Sequence, residues 1–307
     1  MNDQIDHATK TRDIYQAQHE LISADADAFH RINRMYENST FGLDPNWFKG
    51  KSALDAGCGN IGSLIIKLHR LGAAIVTGTD IGHEWIAPLT TNLSREGLSS
   101  NAYSLTPGNI LDLPFPDESF DFVAINGVLI HLETMADVVT GFRQGAKKTK
   151  KGGYYYTSYG PCGGVMQGVV MPALREHYRV DQAFKDLIDN ISPNTIHQTI
   201  DKIASDAKLH ANQDLDADFL KSLFGWDYCV FLQNFIQAPT WWSNECTPDF
   251  VESLYREAGF VEVKRLGSFT KRTDVRKYFA PLHYDRNHPI SKILYGHGYV
   301  QYVGQRA

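Results

Sequence analysis

The stretch "LDAGCGNIG", Leu54 to Gly62, closes a short apolar run on a carboxylate, Asp55, and then opens into a glycine-rich loop. Gly57, Gly59 and Gly62 fit G-x-G-x-x-G, a spacing in which backbone N–H groups and a helix N-terminus hold a pyrophosphate. Asp55 points elsewhere. An ionised carboxylate at the mouth of such a loop repels phosphates and suits a cationic ligand, for example one carrying an ammonium and a sulfonium. These nine residues leave both readings open, and the neighbouring sequence decides between them.

Working outward, "SALDAG" reads as a buried strand and "SLIIKLHRLG" as a helix with a terminal glycine. "AAIVTGTD" is a second strand ending on Asp80. "HEWIAPLTTNLSREG" is a helix whose Pro88 is tolerable only near the first turn. "AYSLTPGN", "SFDFVAIN" and "GYYYTSY" continue the strands, with "LETMADVVTGFRQGAKK" as the helix before the last of them. Alternation at this spacing implies a doubly wound, mostly parallel α/β sheet with ligands beyond the carboxyl ends of its strands. From residue 160 to 246 the rhythm becomes helical. It then resumes with a helix capped by Thr247 and two alternating strands, "FVEVKRLGSF" and "GYVQYVGQR", which bring the sheet to seven. The expected organisation is therefore an N-terminal helical segment (1–45), a Rossmann-like core (46–159 and 247–307) and a helical lid inserted at 160–246.

The 307 residues carry 43% hydrophobic and 21% charged side chains with a net charge of -5, so no overall basic field favours nucleic acid or an anionic membrane. The basic run Lys147–Lys151 reads as the charged last turn of a helix. Neither a signal-peptide core nor a membrane-spanning apolar run is present, and Cys58, Cys162, Cys229 and Cys246 show no C-x-x-C spacing. A cytoplasmic protein is expected, with no metal; a homodimer is left open. His283, His288 and His297 read as loop packing or substrate contacts rather than a metal triad.

From Lys51 to Ser158, and again from Thr247 to Phe260, the sequence resembles the class I S-adenosylmethionine-dependent methyltransferases of the small-molecule branch. Asp55-Ala56-Gly57-Cys58-Gly59 matches their first motif, under the methionine part of the cofactor. Asp80 in "GTDIG" matches the acid that accepts from both ribose hydroxyls. Ile81 follows it, and Trp85 stands where an apolar residue meets adenine. "GNILDLPFPDESFDFV" matches the family's longest signature, with Asn109 and Ile110 at the adenine edge. Asn126, ending the fourth strand, falls near the amino-acid end of the cofactor. Three departures stand out: Ile61 where a glycine is common, Gly82 where serine is frequent, and Asn109 for aspartate. Aminopropyl transfer, a nicotinamide or flavin oxidoreductase using Gly57-x-Gly59-x-x-Gly62, and a non-catalytic ligand-binding member of the fold are the alternatives.

The resemblance implies methyl transfer from S-adenosylmethionine, giving S-adenosylhomocysteine, to a small-molecule acceptor by in-line displacement. The protein then mainly positions the nucleophile and excludes water. His131 in "NGVLIHL" and Tyr159 at the end of the fifth strand are the candidate catalytic side chains. With Tyr36, Trp241 and Trp242 they are also the candidate substrate contacts. An aromatic run (Trp226, Tyr228, Phe231, Phe235, Trp241, Trp242) beside the acids Asp214, Asp216, Asp218, Asp227 and Glu245 suits a flat or cationic group. Asn126-Gly127-Val128-Leu129 lacks the Asn-Pro-Pro-Tyr of enzymes acting on adenine N6 or protein glutamine.

Overall fold

The computed structural model describes residues 6–34, 36, 37, 39–267 and 289–307. The strands are β1 (Ser52–Ala56), β2 (Ile75–Thr79), β3 (Tyr103–Leu105), β4 (Phe120–Asn126), β5 (Thr149–Cys162), β6 (Phe260–Arg265) and β7 (Gly298–Arg306). They form one sheet in the order β3-β2-β1-β4-β5-β7-β6. β7 runs antiparallel to β5 and β6, and the other neighbouring pairs are parallel. The strand order reverses between β1 and β4, which opens a crevice at their carboxyl ends.

Side-chain alternation builds a core on each face of this sheet. Ala53, Phe122, Ala124 and Tyr156 point to one side, against α3 (Ser63–Arg70) and α4 (Ile86–Arg95). Leu54, Val123, Ile125 and Tyr155 point to the other, against α5 (Met135–Lys148) and α11 (Pro248–Glu257). Local chemistry agrees with the tertiary pattern. Thr134 and Asp137 close a capping box on α5, and Thr247 accepts from the Phe250 N–H with Pro248 in the first turn of α11.

The N-terminal segment contributes α1 (His7–Ala24) and α2 (Ala26–Arg34). It is not peripheral, since Phe29 and Phe41 are fully buried in the same cluster as Phe48 and Phe122. The inserted region holds α6 (Met171–Val180), α7 (Gln182–Asp189), α8 (Pro193–Ala211), α9 (Ala217–Ser222) and α10 (Trp226–Gln237), the last not foreseen from sequence. Helix α12 (Pro289–Tyr295) precedes β7.

Two boundaries shift from the sequence reading. The helix α5 ends at Lys148, whose ammonium turns in to Asp117 at 2.9 Å, and Thr149 to Lys151 already belong to β5. At its other end β5 runs past residue 159, because Gly160 to Cys162 pair with Val300 to Gly298.

The insertion has a small core of its own, Met171, Ile188, Phe235 and Ile236. Its polar anchor is Arg175, buried with its guanidinium donating to the carbonyls of Phe235 (2.5 Å), Ala238 (2.7 Å) and Pro239 (3.3 Å). Truncation strands those acceptors. Arg175→Met should therefore lower stability by about 2–4 kcal/mol, read from the urea unfolding midpoint.

Candidate functional site

The glycine loop follows β1 directly. Gly57 (φ 84°) and Gly59 (φ 56°) adopt left-handed backbone that disfavours a Cβ. A Cβ on Gly57 would lie 2.2 Å from Val128, and one on Gly59 2.7 Å from the His19 ring. The loop is tied to the end of β2 twice. The Gly57 and Cys58 N–H groups donate to the Thr79 carbonyl (2.7 and 3.1 Å). The Asp80 carboxylate accepts from the N–H of Gly59 (2.8 Å) and of Ile81 (2.7 Å).

Above this loop is a cavity of about 490 Å³, within the range of small-molecule sites. Its wall includes Gly57, Gly59, Asp80, Ile81, Trp85, Asn109, Ile110, Asn126 and His131, so most of the sequence-expected positions converge there. Trp85 is fixed by its indole N–H on the Gly82 carbonyl (3.1 Å). Asn126 donates to the Tyr36 hydroxyl (2.7 Å) and accepts from the Tyr156 hydroxyl (3.1 Å), which makes Tyr36 a support behind the wall. Asn109 is partly committed, since its side-chain oxygen accepts from the Leu111 N–H at 2.9 Å.

Cys58 is buried behind the loop against the sheet-side core cluster. Asp55, also buried, stands at the end of β1. Burial, reinforced by the charge of Asp80, pushes its carboxyl up to about 8. Burial raises Asp80 too, against its two backbone bonds. Thr79 lines the same cavity, and its buried hydroxyl has no hydrogen-bond partner among the described residues.

Three other expectations are corrected. Tyr159 is fully buried away from the cavity, in the cluster with Tyr255 and Cys246. Alternation along β5 carries Tyr159 to the same face as Tyr155 and Thr157, into the core around Tyr255 rather than toward the cavity. Trp241 and Trp242 do not line the cavity: their indole N–H groups are spent on Ser243 (2.6 Å) and the Leu132 carbonyl (2.7 Å). Trp241 instead packs edge-on behind His131 at 5.1 Å. Phe235 belongs to the core of the insertion, and among the described residues 160–246 contribute nothing to this wall. His283 and His288 lie outside the described residues. The His297 backbone N–H donates to the Cys162 carbonyl.

The wall that the insertion was expected to supply comes from α1. Thr11, Tyr15 and His19, four residues apart on one helical face, line the cavity together with Arg12. The Tyr15 hydroxyl lies 2.8 Å from His131 Nε2, and His131 Nδ1 lies 3.3 Å from the Thr240 carbonyl. Arg12 meets Glu84 across the mouth at 3.5 Å. Burial pushes His131 down to about 3 and His19 to about 4, so both rings are neutral near pH 7. The sequence held one signal for this face, the i, i+4, i+8 spacing of Thr11, Tyr15 and His19, which marks a shared face without saying what it covers.

Residues 54–157 match the family model described as a methyltransferase domain. These residues form a methyltransferase domain. Relatives include a demethylmenaquinone methyltransferase of Geobacillus stearothermophilus, 33% identical over 106 residues, 34% of this chain and 43% of that protein. A fatty-acid O-methyltransferase of Mycolicibacterium smegmatis is 29% identical over 140 residues, 45% of this chain and 47% of that protein. The chain thus covers under half the length of these relatives. A solved S-adenosylmethionine-dependent methyltransferase from Mesorhizobium loti is 25% identical, covering 38% of this chain and 49% of that one, with a TM-score of 0.32.

The methyltransferase domain fits the cofactor of its family on structural grounds. The left-handed glycines bring bare backbone to the cavity wall, packed between Val128 and His19. Asp80 and the unpartnered Thr79 hydroxyl offer groups for ribose hydroxyls, and two neighbouring buried carboxyls favour a cationic ligand. The folded protein keeps the Asp55 proton up to about pH 8, whereas an unfolded carboxyl loses it near pH 4. Between these values the unfolded chain gives up a proton that the fold retains, so Asp55 costs stability increasingly as pH rises. Asp55→Asn should raise the Tm of the ligand-free protein at pH 8 and leave it nearly unchanged at pH 4.

Proposed function

We propose that this protein transfers a methyl group from S-adenosylmethionine to a small-molecule acceptor held between α1 and the carboxyl edge of the sheet. The observation that carries this reading is the convergence of the glycine loop and Asp80 on one cavity at the switch point between β1 and β4. When bound, the cofactor supplies an electrophilic methyl group with a thioether as leaving group. The chain's part is to bind and orient. Asp80 takes the ribose hydroxyls, Trp85 and Ile110 flank the adenine, and the buried Asp55 with Asn126 serves the amino-acid end. A pyrophosphate beside Asp55 and Asp80 would raise the cost of their ionisation, which disfavours the dinucleotide alternative.

The named activities of the relatives support a small organic acceptor. The cap over it is α1, with the insertion as the abutment on which α1 rests through Thr240. A cytoplasmic setting and a homodimer belong to this same reading.

Calorimetry tests it. S-adenosylhomocysteine should bind saturably, NAD and NADP should not, and Asp80→Ala should weaken binding by about 1.5–3 kcal/mol, the worth of charge-assisted hydrogen bonds. Nicotinamide binding without adenosyl binding would overturn the assignment. Hydrogen-exchange mass spectrometry addresses the cap. Saturating S-adenosylhomocysteine should protect residues 7–24 more than residues 193–222. The reverse pattern would restore the insertion as the lid.

A further inference from the structure

The contact between α1 and His131 has a direction, and that direction constrains the methyl acceptor. The Thr240 carbonyl at His131 Nδ1 can only accept, so the ring proton sits on Nδ1. A neutral imidazole carries one N–H, which leaves Nε2 bare. The Tyr15 hydroxyl, 2.8 Å away, must then donate to it. Burial keeps the ring neutral, and Arg175 and His7 nearby oppose a charge on it. The ring's hydrogen-bond partners are Tyr15 and the Thr240 carbonyl, and among the described residues no carboxylate pairs with it. A second chain of fixed direction holds the same junction. Thr240 Oγ1 donates to the Leu132 carbonyl (3.0 Å), so it accepts from His7 Nε2 at 3.2 Å.

With its only hydrogen committed to His131, the Tyr15 oxygen presents lone pairs alone to the cavity it lines. It can hold a donor and cannot serve an acceptor. We propose that Tyr15 is a catalytic residue that accepts a hydrogen bond from the nucleophilic group of the substrate. The substrate class is therefore an amine, alcohol or phenol bearing N–H or O–H, rather than a thioether or a carboxylate. Holding that hydrogen turns the nucleophile's free lone pair away from Tyr15; as its bond to the methyl carbon forms, the methyl–sulfur bond breaks with the electron pair leaving on the thioether, and the proton held against Tyr15 is released from the methylated product to water at the open mouth of the cavity. His131 acts through Tyr15 as a positioning residue. The rest of the wall agrees in charge. Asp6, Glu133 and Asp137 line it, while Arg12 is already engaged by Asp13 and Glu84, an environment hostile to an anionic acceptor. This inference rests on the methyltransferase reading.

Two measurements on the full chain test it. The first is nitrogen-15 NMR of histidine-labelled protein saturated with S-adenosylhomocysteine, with His131 assigned from the signals lost in His131→Gln. The Nδ1–H tautomer is expected from pH 5 to 8. The Nε2–H tautomer would reverse the chain and overturn the proposal whatever the acceptor is. The second compares Tyr15→Phe with wild type on ethanolamine, phenol, benzyl alcohol and dimethyl sulfide, with product masses as readout. For an N–H or O–H compound that is turned over, kcat/KM should fall roughly ten- to a hundredfold, the effect of one unpaired donor. The Kd of S-adenosylhomocysteine should stay within about threefold. Preferred turnover of the sulfide, an unaffected Tyr15→Phe, or an equal loss of S-adenosylhomocysteine affinity each overturns it. Failure of wild type to bind S-adenosylhomocysteine fells the underlying reading instead, and is distinguishable from all of these.

Discussion

The Asp80 carboxylate is the tie on which the site depends. By accepting from Gly59 and Ile81 it joins the loop after β1 to the loop after β2, across two strands that the sheet already places side by side. The same acid is thereby held at the floor of the cavity with lone pairs to spare. Structural and ligand-facing duties coincide in one side chain. Asp55, a strand away, has no such compensation, and its raised pKa records a charge that burial resists and a cation would relieve.

Around that floor the cavity is composite. The sheet edge gives Asp80, Asn126 and His131, and the N-terminal helix gives Thr11, Tyr15 and His19. The insertion stays behind the wall and holds α1 from outside through Thr240. Trp241 backs the His131 ring and Trp242 ties residue 132 to the insertion. Trp241 and Trp242 are thus scaffold for the site rather than its lining.

The parts of this arrangement that follow chain order were legible in the sequence. Asp55, Gly57, Gly59, Asp80, Asn126 and His131 all stand at or just after strand ends, where a doubly wound sheet puts its ligand whatever else the chain does. What local pattern could not supply was which helix comes back to cover them. Tyr15 and His19 sit on an ordinary amphipathic helix, and their partners are remote in sequence. Tyr159 follows the alternation of Tyr155 and Thr157, but which face of the sheet that is, core or cavity, is settled only by the helix packed against it. Trp241 and Trp242 carried an apolar and polar character that suits a pocket or a buried joint equally. Only the acceptors opposite their indoles, the Ser243 hydroxyl and the Leu132 carbonyl, distinguish the two.

His7 and Thr240 are 233 residues apart, and Tyr15 and His131 are 116 apart. Closing loops of that length is entropically unfavourable until the intervening chain is already ordered. The sheet, with β1 and β4 side by side, supplies that order first; α1 then has a surface to meet. The α1 wall of the cavity is therefore held by contacts among the most distant in the chain, and it stands only where both the sheet and the insertion are in place.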